Sequence, residues 1–416
     1  MTAERGDGES LRRGRRRRIV NAAFECLVAS EFDQIRIDEV AAAAGVAKAT
    51  LYRYFPSKEF LYSIVLREWV DQHHLRPTGV EGLERARTRA HAMIAAFEDD
   101  PQFFRLSVAL FSSADPAVKA ELSGVGARTH QYFRDDLADV TAVSPNDASI
   151  IIQAIVHSSV MSALYHGSSF LEAGRLVEQV MRLFAGDDVV ASQPGVADGV
   201  VEIPTVAALP PFKQRRRQRI VDCAGVALRA NPYEKLHVST VATDADVALG
   251  TLYRYFSSKE VLCASVLREW FAASDFVTPL EHLPPEERIG ARLRIAFDAF
   301  EADPEFFRVN VLLYAVDESP VRAILTEMLI RARAVMVADL VAVGMGNPFD
   351  VAKISWSLLS ALTAGAISYG QTFAQARQVG EAFAAMLVAS ASGRDRGGAD
   401  RRSGSAGLRP PRSLES

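Results

Sequence analysis

Thr50, Tyr52, Arg53 and Tyr54 stand together in one short segment, and the same types return at Thr251, Tyr253, Arg254 and Tyr255. Both sets lie inside an identical hexapeptide, Thr-Leu-Tyr-Arg-Tyr-Phe. A guanidinium can fork onto a guanine edge or a phosphate, and the hydroxyls can donate to phosphate oxygens or lie against a thymine methyl. Lys48 precedes the first set, while Lys58 and Lys259 follow the two sets at equal spacing. Each of these last two lysines opens a helix, where a phosphate is attracted by free backbone N–H groups. A second repeated segment, Phe97 to Arg105 and Phe300 to Arg308, supplies Phe97, Phe103, Phe104, Phe300, Phe306 and Phe307 as candidates to line a ligand pocket. Aromatics at helical spacing are more often plain core.

The elements that must hold these side chains are short helices. Ile19, Ala22, Ala23, Cys26 and Leu27 recur at helical spacing, and Ile37, Val40, Ala41 and Ala44 form a second, shorter pattern. Gly45 ends that pattern where a left-handed residue is expected. Ala47–Tyr54 then makes a third helix, and Ser57 caps a long fourth. Ala41, Ala44, Val46 and Leu51 are expected inward, which leaves Lys48, Thr50, Tyr52, Arg53 and Tyr54 facing out. Two short helices joined by a tight glycine turn make a helix-turn-helix. Further helical stretches are predicted at 82–98, 101–113, 116–139, 146–166 and 169–185, and no run alternates at period two.

The plan occurs twice. Between Thr50 and Trp69, fifteen of twenty residues match those 201 positions later. That period is far longer than the units of a solenoid and marks a duplicated domain. The predicted order is a disordered basic arm (1–14), a DNA-binding head (15–60) and a helical body (61–185). A linker (186–211) follows, then a second head (212–261), a second body (262–390) and a disordered tail (391–416). The last two helices of each body, 146–166 with 169–185 and about 349–369 with 373–390, carry small residues suited to close pairing.

The chain has 416 residues and a formal net charge of −4, yet residues 11–67 carry eleven Lys or Arg against six Asp or Glu. Residues 210–269 carry ten against six. The cationic surface is thus concentrated where the repeated motifs lie. No uninterrupted apolar run reaches the ~18 residues of a membrane span, and no apolar segment follows the arginines at the N-terminus, so no membrane association is expected. Cys26, Cys223 and Cys263 lack metal spacing and read as buried free thiols of a cytoplasmic protein. The histidines form no metal set, and neither a cofactor nor a metal is expected.

The stretch AAGVAKATLYRYFPSKEFL resembles the DNA-binding signature of TetR-type transcriptional regulators, and RIVNAAFECL is similar to their first helix. The likeness is close over both heads and holds in length and pattern over the rest. It implies an all-α fold in which three N-terminal helices bind an operator and the others form a ligand pocket and a dimerisation surface. It also implies release of double-stranded DNA by a small-molecule effector. Three departures stand out. Ala47 and Ala248 occupy the position where the family has Ser or Thr, Asp246 replaces the turn glycine, and Leu249 replaces Lys48.

The reading is therefore a sequence-specific transcriptional regulator with two TetR-like modules in tandem, a repressor released by ligand. One chain is expected to form an intramolecular pseudo-dimer, alone or as a homodimer of two such chains. A non-specific architectural DNA protein calls for a basic chain overall, which this is not. An enzyme built on the helical pocket calls for an acid–base pair or activated nucleophile, and the sequence offers no set with the required spacing.

Overall fold

The computed structural model describes residues 3–73, 79–111, 113, 115–165, 167–187, 210–314, 316–368 and 370–403. Every regular element among them is helical. The chain divides into two compact units, the first of residues 1–181 with 365–371 and the second of residues 182–364 with 372–416.

The first unit is built from α1 (Ala3–Ala29), α2 (Ile37–Ala43), α3 (Lys48–Tyr54), α4 (Lys58–His73), α5 (Gly82–Asp99), α6 (Pro101–Phe111), α7 (Pro116–Asp136), α8 (Pro145–Tyr165) and α9 (Phe170–Ala185). In the head, α1 packs on α2 and α4, and α2 on α3. Ile19, Leu27, Val40, Leu51 and Phe55 fill the space between them. The long α4 continues the same core into the body through Leu66, Trp69, Phe103 and Leu106. Trp69 stacks on Phe103 with centroids 4.6 Å apart and donates its indole N–H to Asp100 at 3.1 Å. Head and body therefore share one apolar spine, and α4 is its axis.

The second unit repeats the order with α10 (Pro211–Ala230), α11 (Val238–Asp244), α12 (Leu249–Tyr255), α13 (Lys259–Ala273), α14 (Pro285–Ala302), α15 (Pro304–Tyr314), α16 (Ser319–Ala342), α17 (Pro348–Ser368) and α18 (Phe373–Ser403). Trp270 plays the part of Trp69, stacked on Phe306 at 5.2 Å and bonded to Asp303 at 2.9 Å. A buried ion pair recurs too. Arg89 donates to Asp136 at 2.8 Å in the first unit, and Arg292 donates to Asp339 in the second. Breaking such a pair leaves an uncompensated charge in the core, so both members are held in place once the fold exists.

Several boundaries differ from the sequence expectation. Helix α1 begins at Ala3, where a disordered arm over 1–14 was expected, and α18 runs on to Ser403, past the start of the expected tail at 391. Residues 3–14 and 391–403 hold three glycines each, so these ends extend helices nucleated by their packed portions and do not follow from their own propensity. Of the expected linker, residues 188–209 lie outside the described residues, as do 404–416 of the tail. Helices α8 and α17, each of 21 residues, are long and apolar enough by composition to cross a membrane, and half of each apolar window is buried within the protein. The sequence criterion of an unbroken apolar run missed them because Ser, Gln and His interrupt α8 and Asp, Lys and Ser interrupt α17. Cys263 is buried, whereas Cys26 and Cys223 are half-buried rather than fully enclosed as expected.

Candidate nucleic-acid interface

The turn between α2 and α3 is closed by backbone bonds from Gly45 N to Ala42 O and from Val46 N to Ala41 O, both 3.0 Å. Gly45 takes φ +63°, the left-handed geometry that ends α2. The second head makes the same bonds, Asp246 N to Thr243 O and Val247 N to Ala242 O, again at 3.0 Å. Asp246 adopts φ 52° and is the one non-glycine residue with positive φ among those described. Asp tolerates this region better than most side chains, so the turn survives the loss of glycine.

Ala41, Ala44 and Leu51 are buried, Val46 is partly so, and their counterparts Ala242, Ala245, Val247 and Leu252 repeat the arrangement. With those side chains inward, α3 presents Lys48, Tyr52 and Arg53 outward, with Thr50 half-exposed. On α12 the exposed residues are Leu249, Gly250, Tyr253 and Arg254, with Thr251 half-exposed. The two tyrosines of each helix separate. Tyr52 and Tyr253 are 41% and 47% exposed, while Tyr54 packs on the head core and Tyr255 lies half-buried beside Phe256. Neither Ala47 nor Ala248 caps its helix with a side chain.

Three cations have partners that the sequence did not reveal. Lys48 bonds to Asp38 of α2 at 2.8 Å; this contact holds the Asp38 carboxyl below and the Lys48 ammonium above their usual ranges. Lys58 donates to the carbonyl of Phe32 at 2.5 Å and lies 4.3 Å from the centre of that ring. Burial lowers its pKa. Lys259 repeats this on Tyr233, at 2.6 Å to the carbonyl and 4.0 Å to the ring. These two lysines were expected on phosphates; their ammonium groups instead clamp the 3-10 turn that follows the first helix of each head. In the arginine run, Arg16 stacks on Phe55 at 5.4 Å and Arg217 on Phe256 at 5.1 Å. The cue available in the sequence was the exact repetition of these pairs in both copies.

The serines of the Ser-Lys-Glu segments do cap the following helices. Ser57 Oγ accepts from Phe60 N at 3.0 Å, and Ser258 Oγ from Val261 N at 3.1 Å. Ser258 also donates to Glu318 at the start of α16, at 2.9 Å, joining head to body.

The phenylalanine candidates fall into two groups. Phe103, Phe104, Phe306 and Phe307 are buried core, and Phe97 sits edge-on to Phe104 at 5.2 Å. Phe300 lines an apolar cleft in the second unit with Trp270, Phe271, Phe276, Trp356 and Leu359. No cluster of His, Cys, Asp or Glu fit for a metal occurs among the described residues.

Two helix-turn-helix heads, each continuous with its own helical body, define a DNA-binding transcriptional regulator. The family model described as bacterial regulatory proteins, tetR family, matches residues 19–63 and again 220–266. The HTH-type transcriptional repressor KstR of Rhodococcus jostii is 28% identical over 180 residues, 42% of this chain and 84% of that protein. The HTH-type transcriptional activator FasR of Mycolicibacterium smegmatis is 30% identical over 165 residues, 38% of this chain and 75% of that protein. A crystal structure of a TetR transcriptional regulator from Rhodococcus sp. RHA1 aligns with 42% of this chain and 97% of its own, at 23% identity and a TM-score of 0.37. The chain belongs to the TetR family.

Proposed function

We propose that this regulator is a cytoplasmic repressor whose two heads contact one operator through Thr50, Tyr52 and Arg53 of α3 and Thr251, Tyr253 and Arg254 of α12. The observation that carries the reading is the repeated pairing of an exposed tyrosine with an exposed arginine on a helix whose opposite face is buried. Arg53 lies over the Tyr54 ring at 5.8 Å and Arg254 donates to Thr251 Oγ1 at 3.0 Å, contacts within their own helices that leave the exposed face suited to a groove lined by base edges and phosphates. The two modules of one chain serve as the halves of a pseudo-dimer, so that a single polypeptide occupies a single operator. A small molecule held among the helices of a body acts as effector.

The test compares binding to a fragment of the chain's own promoter with binding to random duplex, at several salt concentrations. Preference for the fragment, with one chain per bound site by sedimentation, is expected. Equal affinity for both duplexes would favour an architectural protein, and a structure with each module of one chain paired only with a second chain would remove the pseudo-dimer.

A further inference from the structure

We propose that Leu249 is a specificity-determining residue that reads a thymine methyl group in the half-site of the second head; this rests on α12 entering the major groove as proposed above. Leu249 is the first residue of α12, and its large apolar side chain is 43% exposed on the same helix as Tyr253 and Arg254. In the first head the equivalent Lys48 is turned onto Asp38 of α2. In the second head Ser239 stands at the Asp38 position. One cation and one anion have therefore gone together, so this exchange is charge-neutral in itself, apart from Asp244 and Asp246 nearby. Leu249 is thus more than a missing phosphate contact.

The neighbouring residue points the same way. Gly250 stands where the first head has Ala49. A Cβ built at Gly250 would meet nothing within 4 Å, and its φ needs no glycine. Glycine weakens a helix relative to alanine, and here packing gives no return. Room beside Leu249 is useful only to something approaching from outside. In the major groove the thymine C5-methyl is the one methyl group on any base edge and projects furthest, whereas the O6, N7, N4 and N6 atoms of the other edges are polar groups that leucine would desolvate. The occupant that matches an exposed leucine beside a bare backbone is thymine.

The experiment uses the full chain. Random duplexes are enriched for binding, and each thymine of the enriched sequence is then replaced singly by deoxyuridine, which removes only the methyl. Wild type should lose about threefold to tenfold in affinity at one position. Leu249→Ala should lose a similar factor on the thymine duplex and be indifferent to deoxyuridine at that position. Circular dichroism melting of Leu249→Ala should match wild type, since the side chain is exposed. If no position responds in wild type, or if Leu249→Ala stays equally sensitive, Leu249 reads no methyl. If no duplex is enriched at all, both this inference and the regulator reading beneath it fail.

Discussion

Arg229 Nε lies 3.0 Å from Asp303 Oδ1, joining the end of α10 in the second head to the first turn of α15 in its body. The same carboxylate holds the indole of Trp270, and Tyr233 N–H donates to Glu305 at 2.7 Å nearby. In the first unit Val28 stands where Arg229 would be, 55% exposed, and Gln102 stands in place of Glu305. The first head is tied to its body at this end by a different pair, Arg105 of α6 donating to Glu31 at 2.8 Å. Arg229→Val should therefore lower stability by about 1 kcal/mol, the value of a partly exposed charged pair. Hydrogen exchange should quicken at Tyr233 and its neighbours. Unchanged exchange there would mean the pair does not restrain the head.

Lys58 offers a separation of folding from binding. Replacing it with methionine removes the bond to the Phe32 carbonyl and the cation over the ring, and should cost about 1–2 kcal/mol of stability. The salt dependence of DNA binding should stay the same. A slope reduced by about one unit would instead identify Lys58 as a phosphate contact.

Asp246 carries both a backbone and a charge effect. Its φ of 52° makes Asp246→Gly stabilising by about 0.5–1 kcal/mol and Asp246→Val destabilising by about 1–2 kcal/mol. The glycine variant should also bind DNA more tightly, because an exposed carboxylate beside α12 is removed. Thermal unfolding and fluorescence anisotropy read the two effects apart. Gain in stability without gain in affinity would show that the turn lies away from the phosphates.

The two arginines should not be equal. Arg53→Ala is expected to cost about 1–3 kcal/mol of operator affinity, and Arg254→Ala less. Asp244 and Asp246 sit at the end of α11 and in the turn, where the first head has Ala43 and Gly45. The Lys48–Asp38 pair makes this difference smaller than a lost lysine alone would, because that lysine is already matched by an acid. Equal losses from the two substitutions, measured on one duplex, would refute the ranking.

The helices of both bodies were legible from periodicity, and the heads from the turn glycine and the small residues around it. Side-chain partners were not. Asp38 and Lys48 are ten positions apart and look like ordinary solvated charges until α2 and α3 cross. Arg89 and Asp136, 47 residues apart, gave no local signal either, although Arg292 and Asp339 keep the same separation. Comparing the copies for charges kept at fixed spacing would have found both this pair and the lysine clamps. The extents of α1 and α18 escaped because periodicity marks only the part that packs, and the glycines of both ends argue against helix.

Carrying two heads on one chain changes what mutation can do. When two identical subunits share an operator, any altered letter in the recognition helix is written into both sides at once. Here Gly45 and Asp246, or Lys48 and Leu249, are encoded separately and can drift singly. A lopsided binding site can thus be followed one half at a time, without a step in which both halves fail. If both heads of one chain occupy one operator, as proposed, site filling should rise in proportion to the amount of protein and not to its square, so scarcity would cost such a regulator less than one assembled from loose halves.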